Sequence, residues 1–103
     1  MKPRPISPAP RLTDDTLLPL VQALATLATD AERIAFLRDL CTPAELEAMV
    51  DRWRVVPLLV DGVPYRDIHQ RTGVSVTTTG RVARTLEQGH GGYAVALERL
   101  APR

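Results

Sequence analysis

Four arginines, Arg66, Arg71, Arg81 and Arg84, stand between Tyr65 and Leu86 against a single acid, Asp67. Such a local excess of positive charge suits a polyanion such as the phosphate backbone of nucleic acid. Interleaved with these arginines are Ser75, Val76, Thr77 and Thr78. Threonine hydroxyls can bond bases or phosphates, and small apolar groups can touch a thymine methyl. This is the chemistry of binding. For catalysis the chain offers no activated Ser or Cys beside a base and no Gly-rich phosphate loop after a strand, so it is not expected to be an enzyme. Cys41 is the only cysteine and His69 and His90 the only histidines, so no disulfide within the chain and no metal-ligand spacing arises. No cofactor is expected.

The elements that must carry these residues are helical. Residues from about Tyr65 to Thr72 read as a first helix, and Gly73 follows where a sharply turning chain can take positive φ without a Cβ clash. Val74 is the apolar plug of the turn and Ser75 a natural N-cap for the second helix, which runs to about Leu86. Ile68, Val74, Val82 and Leu86 then share a small core between two steeply crossing helices. This is the pattern of a helix-turn-helix, whose second helix meets base edges with its first residues. From the stretch alone, an ordinary αα-hairpin with a solvated basic face fits equally well.

Upstream, Thr13 caps a helix whose Asp14 and Asp15 fall in the favourable first turn. Leu17, Leu18, Val21, Leu24 and Leu27 recur at helical spacing, with Pro19 expected to bend or delay the start. A second helix spans about Asp30 to Leu40, with Ile34, Leu37 and Leu40 on one stripe. The Thr42-Pro43-Ala44-Glu45 run is a capping box with proline at the first helical position. The helix it opens should reach about Asp61 and stop at Gly62, with a kink or break at Pro57. A last helix, about Gly92 to Leu100, follows a glycine-rich turn. Residues 1–12 contain four prolines and cannot be helical. They read as an extended or mobile arm; the alternative is that its Lys2, Arg4 and Arg11 touch the DNA backbone.

At 103 residues the chain makes one domain, residues 13–103 beyond the arm, and can bury only a limited share of its surface unless it oligomerises. Its net charge of +1 excludes a polycation, but the charge is unevenly spread: residues 1–62 carry seven basic and nine acidic side chains, residues 63–103 six and three. The basic surplus lies in the half holding the reading helix. No apolar run approaches the roughly 20 residues of a membrane span, and the N-terminus lacks the apolar segment of a signal peptide. A cytoplasmic location fits the lone cysteine.

The runs Phe36 to Met49 (FLRDLCTPAELEAM), Asp51 to Val55 (DRWRV), Tyr65 to Ile68 (YRDI), Thr72 to Ser75 (TGVS) and Arg81 to Arg84 (RVAR) together resemble the Trp-repressor-like YerC/YecD family, over roughly residues 30–100. The resemblance implies an all-α subunit of six helices in an intertwined homodimer, acting as a sequence-specific regulator of transcription on double-stranded DNA, expected to repress. It places Arg66, His69, Arg71, Ser75, Val76, Thr77, Thr78 and Arg84 on the DNA side. In the wider tryptophan repressor superfamily an indole lies between two arginines, whose positions match Arg52 and Arg81, near a capping threonine that matches Thr42. A small effector held by Thr42, Arg52, Arg81, Val82 and Thr85 is the corresponding expectation. Two guanidinium planes flanking a slot suit an aromatic acid; the alternative for Arg52 and Arg81 is pairing with Asp51, Glu45 or Asp39.

The chain departs from the superfamily pattern at four positions. Val82 replaces a glycine and is expected to fill part of the indole slot, which argues against tryptophan as the effector. Val74 replaces a smaller residue and should stiffen the turn. Thr79 occupies a usually apolar core position, and Gly80 sits mid-helix at about 1 kcal/mol relative to Ala. Those last two features favour the alternative function, a helical dimerisation or protein-interaction module that has lost operator binding.

Overall fold

The computed structural model describes residues 12–102. The proline-rich arm, with Lys2, Arg4 and Arg11, therefore lies outside the described residues except for its last member, Leu12. The described residues form six α-helices and no strand, as the sequence predicts. Contacts divide it after Leu40 into two units. The first holds α1 (Asp14–Thr26) and α2 (Asp30–Leu40). The second holds α3 (Pro43–Val60), α4 (Tyr65–Thr72), α5 (Val76–Gln88) and α6 (Gly92–Leu100).

Three helices begin with the same reciprocal device. Thr13 accepts the Thr16 N–H on its hydroxyl, and the Thr16 hydroxyl oxygen accepts the Thr13 N–H. Thr42 and Glu45 exchange the same pair of bonds at the head of α3, at 3.2 and 2.8 Å. The start of α2 carries a third such box, which the sequence analysis passed over: the Thr29 hydroxyl accepts from the Glu32 N–H, while the Glu32 carboxylate accepts from the N–H groups of Ala28 and Thr29. Each satisfies backbone donors that a helix start otherwise leaves open. Arg33 reinforces the last one, reaching the Leu27 carbonyl at 2.9 Å and Asp30 at 3.3 Å.

Two prolines lie inside helices. Pro19 lies inside α1 but does not delay its start. The carbonyl it deprives of a donor belongs to exposed Asp15, where water can replace it. Pro57 was expected to kink or break the third helix, yet α3 runs unbroken through it to Val60. An interior proline costs ~3 kcal/mol, but the preceding turn buries Val55 and Val56 completely. Each buried valine contributes roughly 1.5–3 kcal/mol, so tertiary packing outweighs the lost bond to the Trp53 carbonyl. After Val60 the helix closes in a Schellman motif: Gly62 takes φ +79°, its N–H donates to Leu59, and the Val63 N–H donates to Leu58.

The core of the second unit is small. Val55, Val56, Ile68, Val74 and Val82 are buried, with Trp53, Leu58, Leu59, Val63, Leu86, Tyr93 and Leu97 packed around them. Trp53 and Tyr93 meet with ring centroids 6.2 Å apart, which ties α6 to α3. In the first unit, no residue of α1 is buried, and Leu17, Leu18, Val21 and Leu24 form an exposed apolar stripe. No helix among the described residues is long and apolar enough to cross a membrane.

The caps make stability depend on pH in a defined direction. The backbone N–H of Thr42 holds the Glu45 carboxyl below the usual carboxylate range, and those of Ala28 and Thr29 do the same for Glu32. A lowered folded-state pKa means that the stabilisation is complete above the unfolded value and is lost as pH falls through the folded one. Thermal unfolding followed from neutral into acid should therefore show a smaller acid loss for E45Q than for the parent chain, because the amide oxygen keeps the cap without titrating. Thr42→Ala should destabilise by about 1 kcal/mol at neutral pH.

Candidate nucleic-acid interface

The helix-turn-helix forms as its residues dictate. α4 ends at Thr72, and Gly73 takes the left-handed conformation, φ +78°, with its N–H donating to the His69 carbonyl at 2.8 Å. The chain then drops Val74 into the core at 4% exposure. Ser75 caps α5, its hydroxyl accepting the Thr78 N–H at 3.1 Å and donating to the Thr78 hydroxyl at 3.0 Å. Along α5, Thr79 and Val82 face inward and are buried, while Val76, Thr77, Arg81 and Arg84 face out. Thr79, the polar residue at a core position, is fully buried and satisfied: its hydroxyl donates to the Ser75 carbonyl at 3.0 Å.

Of the residues assigned to the DNA side, Arg66, Arg71, Val76, Thr77 and Arg84 are exposed, and Val76 shows half its surface. Among the described residues the one ion pair is Arg33 with Asp30. No acid neutralises Arg66, Arg71, Arg81 or Arg84, so the face keeps its charge. Thr78 is half-buried, with its hydroxyl oxygen engaged by Ser75. The Ser75 hydroxyl serves the cap. Thr77 is thus the exposed hydroxyl of the first turn that no intramolecular bond occupies.

His69 is exposed as well and also serves the turn. Its Nδ1 lies 2.9 Å from the Val74 carbonyl across the turn. A carbonyl only accepts, so the ring donates through Nδ1–H. His69 belongs to the scaffold of the turn. Sequence reasoning missed Thr72 altogether. Its hydroxyl donates to the Ile68 carbonyl at 2.7 Å and accepts the Val74 N–H at 3.0 Å. The available signal was a threonine in the last turn of a helix, where it back-bonds readily to the preceding turn.

The effector-side residues do not share one environment. Thr42 is exposed and its hydroxyl caps α3; Arg52 and Arg81 are exposed and, among the described residues of the second unit, join no ion pair, so the alternative pairing with Asp51 or Glu45 does not occur. Thr85 is exposed and donates to the Arg81 carbonyl at 3.1 Å. Val82 is corrected. It is 1% exposed and belongs to the core with Val55 and Val56, so its side chain fills core volume and offers no surface to a ligand. A separate open groove of about 410 Å³ lies among Leu59, Val63, Pro64, Tyr65, Ala83 and Leu86, and none of the effector-side residues lines it.

Comparison with known proteins agrees with this geometry. A family model described as Trp repressor protein matches residues 15–101. The chain is 35% identical over 81 residues to the uncharacterized protein YerC of Bacillus subtilis (strain 168), covering 79% of this chain and 78% of YerC. It also matches the crystal structure of a TrpR-like protein from Eubacterium eligens, with a TM-score of 0.78 and 35% identity over 84% of this chain and 89% of that one.

The reading helix is continuous through Gly80, and a Cβ added there would meet the Tyr65 ring at 3.9 Å, an ordinary contact. Gly80→Ala should therefore raise the unfolding free energy by roughly 0.5–1 kcal/mol in a denaturant titration, through helix propensity and the lost freedom of the unfolded chain. A destabilised variant would mean that α5 needs the glycine for close approach.

Proposed function

The chain belongs to the Trp repressor family, and from that premise we propose that it is a dimeric, sequence-specific DNA-binding regulator of transcription, a cytoplasmic protein that represses by occupying its site. The observation that carries the reading is the division of α5 into two faces. Thr79 and Val82 are locked into the core, and Val76 and Thr77 project outward beside arginines that no carboxylate neutralises. A helix held that way enters a major groove with its first turn, where the valine and threonine methyls meet thymine and the Thr77 hydroxyl meets a base edge or phosphate. Arg66 approaches the bases, and Arg71 and Arg84 neutralise phosphates. Two copies would place their reading helices about one helical turn of DNA apart, roughly 34 Å. The exposed apolar stripe of α1, Leu17, Leu18, Val21 and Leu24, supports dimerisation, because a chain this small gains stability by covering such a surface.

Selection of bound sequences from random duplex DNA tests the reading directly. We expect enrichment of a two-fold symmetric site. Arg84→Ala should weaken binding to all sequences about equally and flatten the salt dependence by roughly one unit, as expected for a lost phosphate contact. Thr77→Ala should change the selected sequence at one position in each half-site. Failure to shift any duplex at low salt would overturn the DNA-binding reading.

Sedimentation should give a dimer at micromolar concentration, with a melting temperature that rises with protein concentration. A stable folded monomer there would refute the assembly.

A further inference from the structure

We propose that Thr72 and His69 are positioning residues that close the turn around Val74 from within, so that α5 is presented to DNA with no small molecule bound. The inference rests on the DNA-binding reading above and concerns its regulation. Val74 is the buried residue of the turn, at 4% exposure. A buried backbone needs partners for both its N–H and its C=O. Both are supplied by side chains of α4: the Thr72 hydroxyl accepts the N–H at 3.0 Å, and the His69 ring donates to the carbonyl at 2.9 Å. The Thr72 hydroxyl is itself oriented by donating to Ile68 at 2.7 Å, and Gly73 returns its N–H to His69 at 2.8 Å. The next residue, Ser75, caps α5 and accepts the Thr79 hydroxyl on its carbonyl. Ile68, His69, Thr72, Val74, Ser75, Thr78 and Thr79 are thus joined by bonds among themselves. Among the described residues no buried side-chain nitrogen or oxygen lacks a partner.

A second observation points the same way. Where α3 meets α5, Val55, Val56 and Val82 are at 0%, 0% and 1% exposure. Protein side chains occupy that contact, so a molecule wedged between the helices would have to displace them. A ligand shifts an equilibrium only by its differential affinity for the two states. A turn already closed by its own bonds leaves an effector little to select, and the reading helix is held ready.

The test strips the protein of any carried ligand by unfolding in guanidinium and dialysis, then reads amide hydrogen exchange and affinity for the selected duplex. We expect the Val74, Thr78 and Thr79 amides to be protected in the stripped protein. Adding each common amino acid at millimolar concentration should change DNA affinity by less than about twofold, below the ~0.4 kcal/mol of a twofold shift. Thr72→Val, which keeps the shape and removes the hydroxyl, should lose protection at Val74 while α3 stays protected, and should weaken DNA binding about tenfold, ~1.4 kcal/mol. Thr72→Ser should restore both. Rapid exchange at Val74 and Thr78 in the stripped protein, or affinity regained tenfold or more on adding an amino acid, would overturn the proposal. Protected amides in a protein that binds no duplex under any condition would sink the DNA-binding reading and uphold the closed turn.

Discussion

The burial of Val74 is the constraint on which the second unit depends. A sharp turn between two helices ordinarily lies at the surface, where water can serve its backbone. Here the turn residue enters the core, and its peptide groups need partners that water cannot supply. The left-handed Gly73 aims the chain inward, Thr72 and His69 meet the two peptide groups, and Ser75 restarts the helix at once. The direction of α5 follows from those four residues. Were the turn to relax, Ile68 and Val82 would lose their common neighbour and the reading face would lose its aim.

Helical periodicity then separates the two faces of α5. Thr79 and Val82 lie on the same side as the cap and the core, and Val76, Thr77, Arg81 and Arg84 fall opposite. Threonine at position 79 fits because its hydroxyl finds a carbonyl one turn back, which removes the penalty of a buried polar group. The departure from an apolar core position is thus accommodated within the fold and does not speak against DNA binding. The unneutralised arginines belong to the same division: the face turned away from the core is the one with no acids paired to its charges.

Much of this was legible in the residues. The boundaries of α4 and α6, the left-handed glycine, the Val74 plug, the Ser75 cap and the Thr42 box were all read from local spacing, because capping and turn chemistry act over a few residues. The failures lie where distant contacts decide. Pro57 reads locally as a kink or a break, and the helix does not break because the burial of Val55 and Val56 carries it through. Val82 reads two ways: helical spacing puts it in the core with Ile68, Val74 and Leu86, as found, while correspondence with another sequence sets it beside a ligand slot. The bonds of His69 and Thr72 to the turn backbone are not legible either, since a side chain's choice between backbone and solvent is invisible in sequence. The box at Thr29 was legible and passed over; its threonine and glutamate have the same spacing as Thr42 and Glu45.

The range of the polar bonds has a consequence for how such a chain can pair with a copy of itself. Every hydrogen bond described above that involves a side chain joins residues no more than six positions apart, the longest running from Arg33 to Leu27. Polar bonding therefore specifies each helix and the turn beside it, and in the second unit apolar packing joins helices distant in the chain. Apolar contact is non-directional and does not distinguish a helix of the same chain from the identical helix of a neighbour. An exchange that keeps each bonded turn with its own helices would keep these local polar bonds, and the apolar contacts remade would be identical to those lost. Any such exchange would be a trade of like for like, controlled by the connecting segments and by protein concentration.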